Sequence, residues 1–232
     1  AEMCAEKFQI SRDEQDNFAI DSYKKSQKAI ENDIFLKEIS PVEVESKNSN
    51  STVCNDEEPY RVKFDKINSL KPVFDKNGSV TAANASTIND GAAVCVVMSK
   101  ERAKELGLNP LVEIVSYSSY SHEPEWFTTA PIFSIKNLIK KSKIDIKDID
   151  LFEINEAFSV VTLAAIKELN INSNIVNIYG GAVSLGHPIG ASGARIVCTL
   201  INGLLNSDKT HGVASICIGG GEASSLLLRR LT

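Results

Sequence analysis

The stretch Leu151-Phe-Glu-Ile-Asn-Glu-Ala-Phe-Ser-Val-Val-Thr-Leu-Ala-Ala-Ile-Lys-Glu-Leu169 reads as an apolar strand end, Leu151 to Asn155, running into a helix, Ala157 to Leu169. A strand followed by a helix of ten or more residues, when repeated, predicts a layered α/β domain. The pattern recurs outward in both directions. Upstream lie a strand at Ala92 to Met98, a short helix at Ser99 to Leu106 ended by Gly107, a strand at Leu111 to Tyr117, and a helix at Pro131 to Lys141 with proline in its first turn. Downstream lie a strand at Ile175 to Tyr179, a long helix at Ile189 to Leu205, and two strands, Val213 to Ile218 and Ser224 to Arg230, read as an antiparallel pair. The two most apolar helices are expected between layers rather than on an outer surface.

The first 75 residues differ. Ser11-Arg-Asp-Glu14 is a capping-box pattern that starts an exposed helix running to about Asn32. Met3, Cys4 and Phe8 belong to the end of a preceding helix whose start is missing. Ile39 to Val44 is strand-like with Pro41 at its edge, and Glu45 to Tyr60 is a polar loop. This part lacks the apolar content of an independent domain, so it reads as a peripheral layer. The boundary falls near Ser79, giving segments 1–78 and 79–232.

A net charge of −5 with Lys and Glu interspersed leaves no basic stripe for nucleic acid. No run approaches the roughly 18–20 apolar residues that span a bilayer. The cysteines, Cys4, Cys54, Cys95, Cys198 and Cys217, are odd in number and irregularly spaced, which gives neither a disulfide framework nor a metal pair. The histidines, His122, His187 and His211, form no zinc motif, so no metal is expected and a reducing compartment is the simplest reading.

Three clusters carry chemistry. Gly186-His-Pro-Ile-Gly190 sets an imidazole among glycines ahead of a helix that Ser192 and Gly193 open. Its ring is either satisfied by backbone or placed to donate to an oxygen gaining negative charge. Cys217 ends an apolar strand just before Gly219-Gly-Gly221. It is either an inert core thiol or a proton-transfer group whose pKa is lowered by His187 or by nearby N–H groups. Asn155, at a strand-to-helix junction, is either a helix cap or the holder of a water or substrate oxygen, with Glu156 orienting a neighbour. Together the three read as one site for acyl transfer, since thiol and imidazole both handle protons near neutral pH.

The ordered set resembles the thiolase family. It runs through Ile10 to Asp16, Val80 to Ser86, Asn89-Asp-Gly-Ala-Ala93, Asn155-Glu-Ala-Phe158, Gly180-Gly181 to Gly193, and Cys217-Ile-Gly-Gly-Gly221. The resemblance implies an α/β thiolase-like layered sandwich, αβαβα in the full protein. This chain would hold the rear of the loop domain (1–78) and mainly the C-terminal βαβαβαββ half (79–232). The first half, with the cysteine that becomes acylated, would be absent, and Cys4 does not match that cysteine. The implied activity is acetyl-CoA C-acetyltransferase: Claisen condensation of two acetyl-CoA to acetoacetyl-CoA, and the reverse CoA-dependent cleavage. The fragment alone is expected to be inactive.

By the same resemblance, Cys217 is the acid/base, His187 and Asn155 hold the enolate oxygen, and the Gly219 N–H belongs to an oxyanion hole. Ser86, Phe158 and Ala157 line the pantetheine tunnel. No cofactor is implied, since coenzyme A is a substrate. The implied partners are acetyl-CoA, acetoacetyl-CoA and CoA, with a homodimer or homotetramer and neither nucleic acid nor membrane. Localisation is expected to be cytoplasmic, with mitochondrial the alternative because a targeting segment would be missing. Ala83, Thr128, Ala130 and Ser159 stand where the family carries glycine or alanine, and Glu222-Ala223 also depart from it, which implies a narrower pocket and a charge near the catalytic turn. A thiolase for longer 3-ketoacyl chains and a non-catalytic acyl-CoA-binding or structural protein are the alternatives.

Overall fold

Alternation along the strands divides the apolar side chains between two faces of one sheet. The computed structural model describes residues 1–45 and 50–231, so residues 46–49 of the expected 45–60 loop lie outside the described residues. In chain order the elements are α1 (Glu2–Phe8), α2 (Arg12–Glu31), β1 (Val42–Glu45), β2 (Asn50–Val53), α3 (Lys100–Glu105), β3 (Val112–Ser121) and α4 (Ala130–Ser142). They continue with β4 (Leu151–Ile154), α5 (Ser159–Leu169), α6 (Ala182–Leu185), α7 (Ser192–Asn206), β5 (His211–Ile218) and β6 (Glu222–Arg230), with 3-10 turns between them.

The main sheet has the order β3-β6-β5-β4. β4 and β5 run parallel, pairing Ile154 with Ser215, whereas β6 is antiparallel to both β5 and β3. Phe152, Ile154, Val213 and Leu227 point to the face covered by α4 and α5, where the larger core lies. Leu151, Ala214 and Leu228 point to the opposite face, against Ile196, Leu200 and Leu204 of α7. The expected α/β layering is therefore present, with helices on both faces of the sheet.

The expected peripheral helix is α2. Ser11 accepts from the Glu14 N–H at 3.2 Å while its own N–H donates to the Glu14 carboxylate at 2.6 Å, which closes the capping box. The helix is not simply exposed, however. Gln15, Asp16, Ser22 and Ser26 are buried, and they dock by hydrogen bonds rather than by apolar contact. A reading that sends polar residues outward assigns such a face to solvent.

Three strand expectations change. Ala92–Met98 forms no strand among the described residues, and Val94, Val96 and Val97 are 83%, 83% and 70% exposed. Its apolar composition matches a buried strand, but among the described residues no neighbouring strand supplies backbone partners. Ile175–Tyr179 is also not a continuous strand. Asn177 takes a left-handed φ of 46°, and its side-chain amide replaces the ladder: Oδ1 accepts from Ile154 N at 2.8 Å and Nδ2 donates to Ile154 O at 2.8 Å. Within the expected polar loop, β2 pairs with β1 as an exposed antiparallel ribbon. Among the described residues no helix is long and apolar enough to cross a membrane.

Two buried features of the sheet lead to measurable effects. Phe152 is 1% exposed at the centre of the larger core. Phe152→Ala is expected to destabilise by about 3–5 kcal/mol, read as a lowered urea midpoint with an unchanged slope. Next to it, Glu153 faces α7, 3.8 Å from Arg195, and burial pushes its carboxyl up to about 8 despite the guanidinium. The folded state then holds a proton that the unfolded chain releases near 4.5, so this contribution is lost as pH rises from about 4.5 to about 8. Glu38, pushed up to about 7 by burial, acts in the same sense. The melting temperature is expected to fall across that window, and to fall less steeply in Glu153→Gln; an identical slope in the variant removes Glu153 as a cause.

Candidate active site

β4 and β5 are parallel and end at the same edge of the sheet, where ligands collect in open α/β sheets. Asn155 extends β4 by one hydrogen bond, its N–H donating to Ser215 O at 2.9 Å. Cys217 lies two residues further along β5. There it packs with Ala157 and Val161, with Phe127 and Phe158 against the same cluster. Asn155 is thus not the cap of α5, which begins at Ser159 rather than at the expected Ala157, with Phe158 as the preceding residue.

His187 reaches this edge from the glycine-rich loop between α6 and α7. Asn155 Nδ2 donates to His187 Nε2 at 3.3 Å, which brings two of the three clusters into contact. His187 Nδ1 lies 2.6 Å from Ser192 Oγ, and Ser192 donates its own hydroxyl hydrogen to Pro188 O at 3.1 Å. Ser192 therefore accepts from Nδ1–H, and this assigns a neutral ring with a bare Nε2 lone pair facing Asn155. Burial, with a smaller effect from Arg195, holds the His187 pKa below its ordinary value, in keeping with a neutral ring.

The backbone of His187 is fixed by a strap, Thr81 to Asn89. Its N–H donates to Thr87 O at 2.9 Å and lies 3.3 Å from Asn89 Oδ1. Gly186 precedes it with φ +93°, and a side chain there would run into the Asn89 amide. The same strap meets the third cluster. Ser86 N–H and Oγ both donate to Ala157 O, at 3.1 and 2.9 Å, and Ser159 N–H donates to Asn84 O at 2.8 Å. Ser86 Oγ thus spends its hydrogen on backbone and faces any ligand as an acceptor. Phe158 is half-buried, with its ring 6.1 Å from Phe74 and 6.3 Å from Phe127.

The thiol differs from expectation. Burial pushes Cys217 up to about 12, and neither His187 nor an N–H group brings it below the usual thiol range. The protonated form is therefore the resting one. After Cys217 the chain turns, with Gly221 at φ +89° packed so closely on the His122 carbonyl that a Cβ would clash. Gly219 is different: a Cβ there would meet open space, so its exposed backbone is accessible. Asn155 Oδ1 is buried and has no hydrogen-bond partner, although the residue is only 1% exposed. Such an atom is costly unless a water or a ligand O–H or N–H donates to it.

Beneath the site lies a buried carboxylate. Glu156 accepts from Ser22 Oγ of α2 at 2.7 Å, Asn177 Nδ2 at 2.8 Å and Val183 N–H at 3.1 Å. Burial raises its pKa even so. The neighbour-orienting role expected of it is thus met through backbone and α2 rather than through His187. Ser192 and Asn177 carried no chemical signal in the sequence, because a serine opening a helix reads as a cap and an asparagine inside an apolar run reads as one more strand position.

Of the departures from the resembled pattern, Ala83, Thr128, Ala130 and Ser159 are buried, while Glu222 is exposed at the turn. Cys4 lies in the larger core, fully buried, away from Cys217's cluster. Among the described residues no group of three or more His, Cys, Asp or Glu is arranged to hold a metal ion.

The family "Thiolase, N-terminal domain" matches residues 1–101, and "Thiolase, C-terminal domain" matches residues 108–230. This corrects two expectations: that the resemblance covers only the rear of a loop domain and the C-terminal half, and that the fold is mainly that half. Both parts are represented. Cys4, Ala5 and Ile10 are buried in the core built by the following elements, so their own stretch looks poor in apolar content.

A probable acetyl-CoA acetyltransferase of Dictyostelium discoideum is 49% identical over 98% of this chain and 55% of its own length. The acetyl-CoA acetyltransferase of Schizosaccharomyces pombe is 48% identical over 100% of this chain and 59% of its own. Among solved structures, the Bacillus anthracis acetyl-CoA acetyltransferase superposes with a TM-score of 0.97 at 42% identity, covering 99% of this chain and 59% of that one. The Acat5 thiolase of Ascaris suum, solved with coenzyme A, gives 0.91 at 48%, covering 98% and 59%. The chain thus spans between 55% and 59% of the length of these relatives. With domain matches along nearly all of its length and the three clusters meeting at one sheet edge, the chain belongs to the thiolase family.

Proposed function

We propose that the protein acts as an acetyl-CoA C-acetyltransferase, interconverting two acetyl-CoA with acetoacetyl-CoA and CoA. The observation that carries this reading is the Asn155–His187 contact with a buried, unpartnered Asn155 oxygen, at the sheet edge where Cys217 packs against Ala157. The relatives named acetyl-CoA acetyltransferase support it.

The difficult step is making or quenching a carbanion next to a thioester. A thioester α-proton is weakly acidic, so the enolate oxygen needs donors already in place when charge develops. Asn155 supplies them through its amide and the water its free oxygen can hold. His187 supplies another when its ring takes the Nε2–H tautomer. That tautomer requires Ser192 to reverse its hydroxyl and donate to Nδ1, and Asn155 Nδ2 to release Nε2 and turn its N–H to the same substrate oxygen. In the resting tautomer, the bare Nε2 accepts a proton instead. Ser192 therefore acts through His187 as a positioning residue.

Cys217, protonated at rest, is in the right state for the cleavage direction. Its S–H protonates the α-carbon of the acetyl-CoA enolate released as the C2–C3 bond breaks, its thiolate takes the proton of the incoming CoA thiol, and the acetyl group left at the 3-keto carbon passes to the CoA sulfur to give the second acetyl-CoA. In the condensation direction its thiolate removes the α-proton. The Gly219 backbone, open on one side, serves a second oxyanion at the thioester carbonyl. Phe158 and Phe127 beside Cys217 favour a short acyl group, and Ser86 and Ala157 border the pantetheine path. Coenzyme A is substrate in both directions. Self-assembly as a homodimer or homotetramer belongs to the same proposal.

The direct test is CoA-dependent loss of acetoacetyl-CoA with acetyl-CoA as product. His187→Ala and Cys217→Ala are each expected to lower kcat by about 10²–10⁴. Binding of acetyl-CoA without any turnover would instead support a non-catalytic acyl-CoA-binding protein. Ser192→Ala is expected to lower kcat about tenfold with KM little changed and to shift the pH profile, with Ser192→Thr restoring most of the rate. A profile unchanged in Ser192→Ala assigns the hydroxyl to structure alone.

A further inference from the structure

Cys95 and Cys198 are 103 residues apart in sequence, yet their Sγ atoms lie 3.5 Å from each other. Both are half-buried. Cys95 sits in the unpaired stretch Ala92–Met98, where Val94 and Val96 face solvent while Ala93 and Cys95 turn inward. Cys198 is on α7, and its Sγ also lies 3.9 Å from Val94 O. At this separation the thiols are within about 1.5 Å of a disulfide bond, and the extended stretch carries no ladder to resist that shift. The other three cysteines offer no rival pairing: Cys4 and Cys217 are buried in separate clusters, and Cys54 follows the exposed ribbon.

We propose that Cys95 and Cys198 form a reversible disulfide when the protein meets a hydroperoxide, stapling the 92–98 stretch to α7. One cysteine sulfur attacks a peroxide oxygen, the O–O bond breaks, and a sulfenic acid and water form. The second sulfur attacks the sulfenic sulfur and expels its hydroxyl as a second water. Two thiols lose two hydrogens in all, and hydrogen peroxide takes up two electrons and two protons. Burial and the neighbouring Cys95 push the Cys198 thiol up to about 12, so the reaction quickens as pH rises.

The staple would join the two elements that frame His187. The 92–98 stretch continues the strap whose Thr87 and Asn89 hold the His187 backbone, and α7 begins at Ser192, which holds its ring. The inference stands apart from the proposed reaction, because its test reads mass and stability rather than turnover.

The whole chain is treated with hydrogen peroxide at mildly alkaline pH and weighed intact without reductant. The expected result is a loss of about 2 Da, reversed by dithiothreitol, with a peptide map joining Cys95 to Cys198. Cys198→Ser and Cys95→Ser should each abolish that cross-link. The oxidised wild type should melt about 5 °C or more above the reduced form, because a long loop is closed. A gain of about 16 or 32 Da in place of the loss, a cross-link between other cysteines, or a loss of 2 Da that persists in Cys198→Ser overturns the proposal. An unchanged melting temperature in the cross-linked protein overturns the stapling role.

Discussion

The carboxylate of Glu156 binds three separate pieces of chain to the end of the sheet, and the placement of His187 depends on it. Ser22 comes from α2, Asn177 from the segment closing the edge of β4, and Val183 from the short helix that begins the glycine-rich loop. Among the described residues no cation pairs with it directly, its oxygens accept from neutral donors, and its pKa is raised as desolvation dictates. Removing one donor would leave a buried acceptor unsatisfied, which costs more than a typical net hydrogen bond contributes. The loop between α6 and α7 is therefore held at its root by polar contacts. Further on, the strap through Thr87 and Asn89 takes over.

This arrangement explains why the N-terminal layer belongs to the site although it contributes no reacting group. α2 presents serines inward, not leucines. Ser22 and Ser26 both meet Ser184 besides their contacts with Glu156 and the Tyr179 carbonyl. A polar helix face is a poor source of hydrophobic stabilisation, but hydrogen bonds fix distance and direction more narrowly than apolar packing does. The same device appears at Asp16, which Arg12 and Asn84 share, tying the start of the strap to α2.

The strands and helices of the second half were legible because their apolar residues follow periods of two and 3.6, and the chemistry was legible because His187, Cys217 and Asn155 each stand beside glycines or at a strand end. What escaped the sequence was whatever depends on distant partners. Ala92–Met98 has the composition of a core strand, and composition cannot say whether a neighbouring strand is there to pair with it. Ile175–Tyr179 reads as β because Ile, Val and Tyr favour it, yet Asn177 substitutes its side chain for the backbone ladder. Ser192 reads as a capping residue until the fold buries it against His187, and Arg195 as a surface residue until the fold half-buries it near Glu153. The span of the N-terminal part was misjudged for the same reason, since its apolar residues are few and serve a core built mostly by others.

Cys217 and His187 share one property. The sequence reading made proton transfer by Cys217 depend on a lowered thiol pKa. Burial instead raises Cys217 while it lowers His187, and both shifts favour the neutral form. A site holding two neutral groups carries no standing charge to be solvated before substrate arrives. Charge would then appear only as the carbanion forms or collapses, in surroundings where Asn155 and the Gly219 backbone are already oriented. An ion pair between the thiolate and imidazolium at rest would suit nucleophilic attack, whereas a neutral thiol suits proton transfer to carbon. The electrostatics of the free site thus argue for Cys217 as the proton carrier of the proposed reaction and against it as the group that takes the acyl chain.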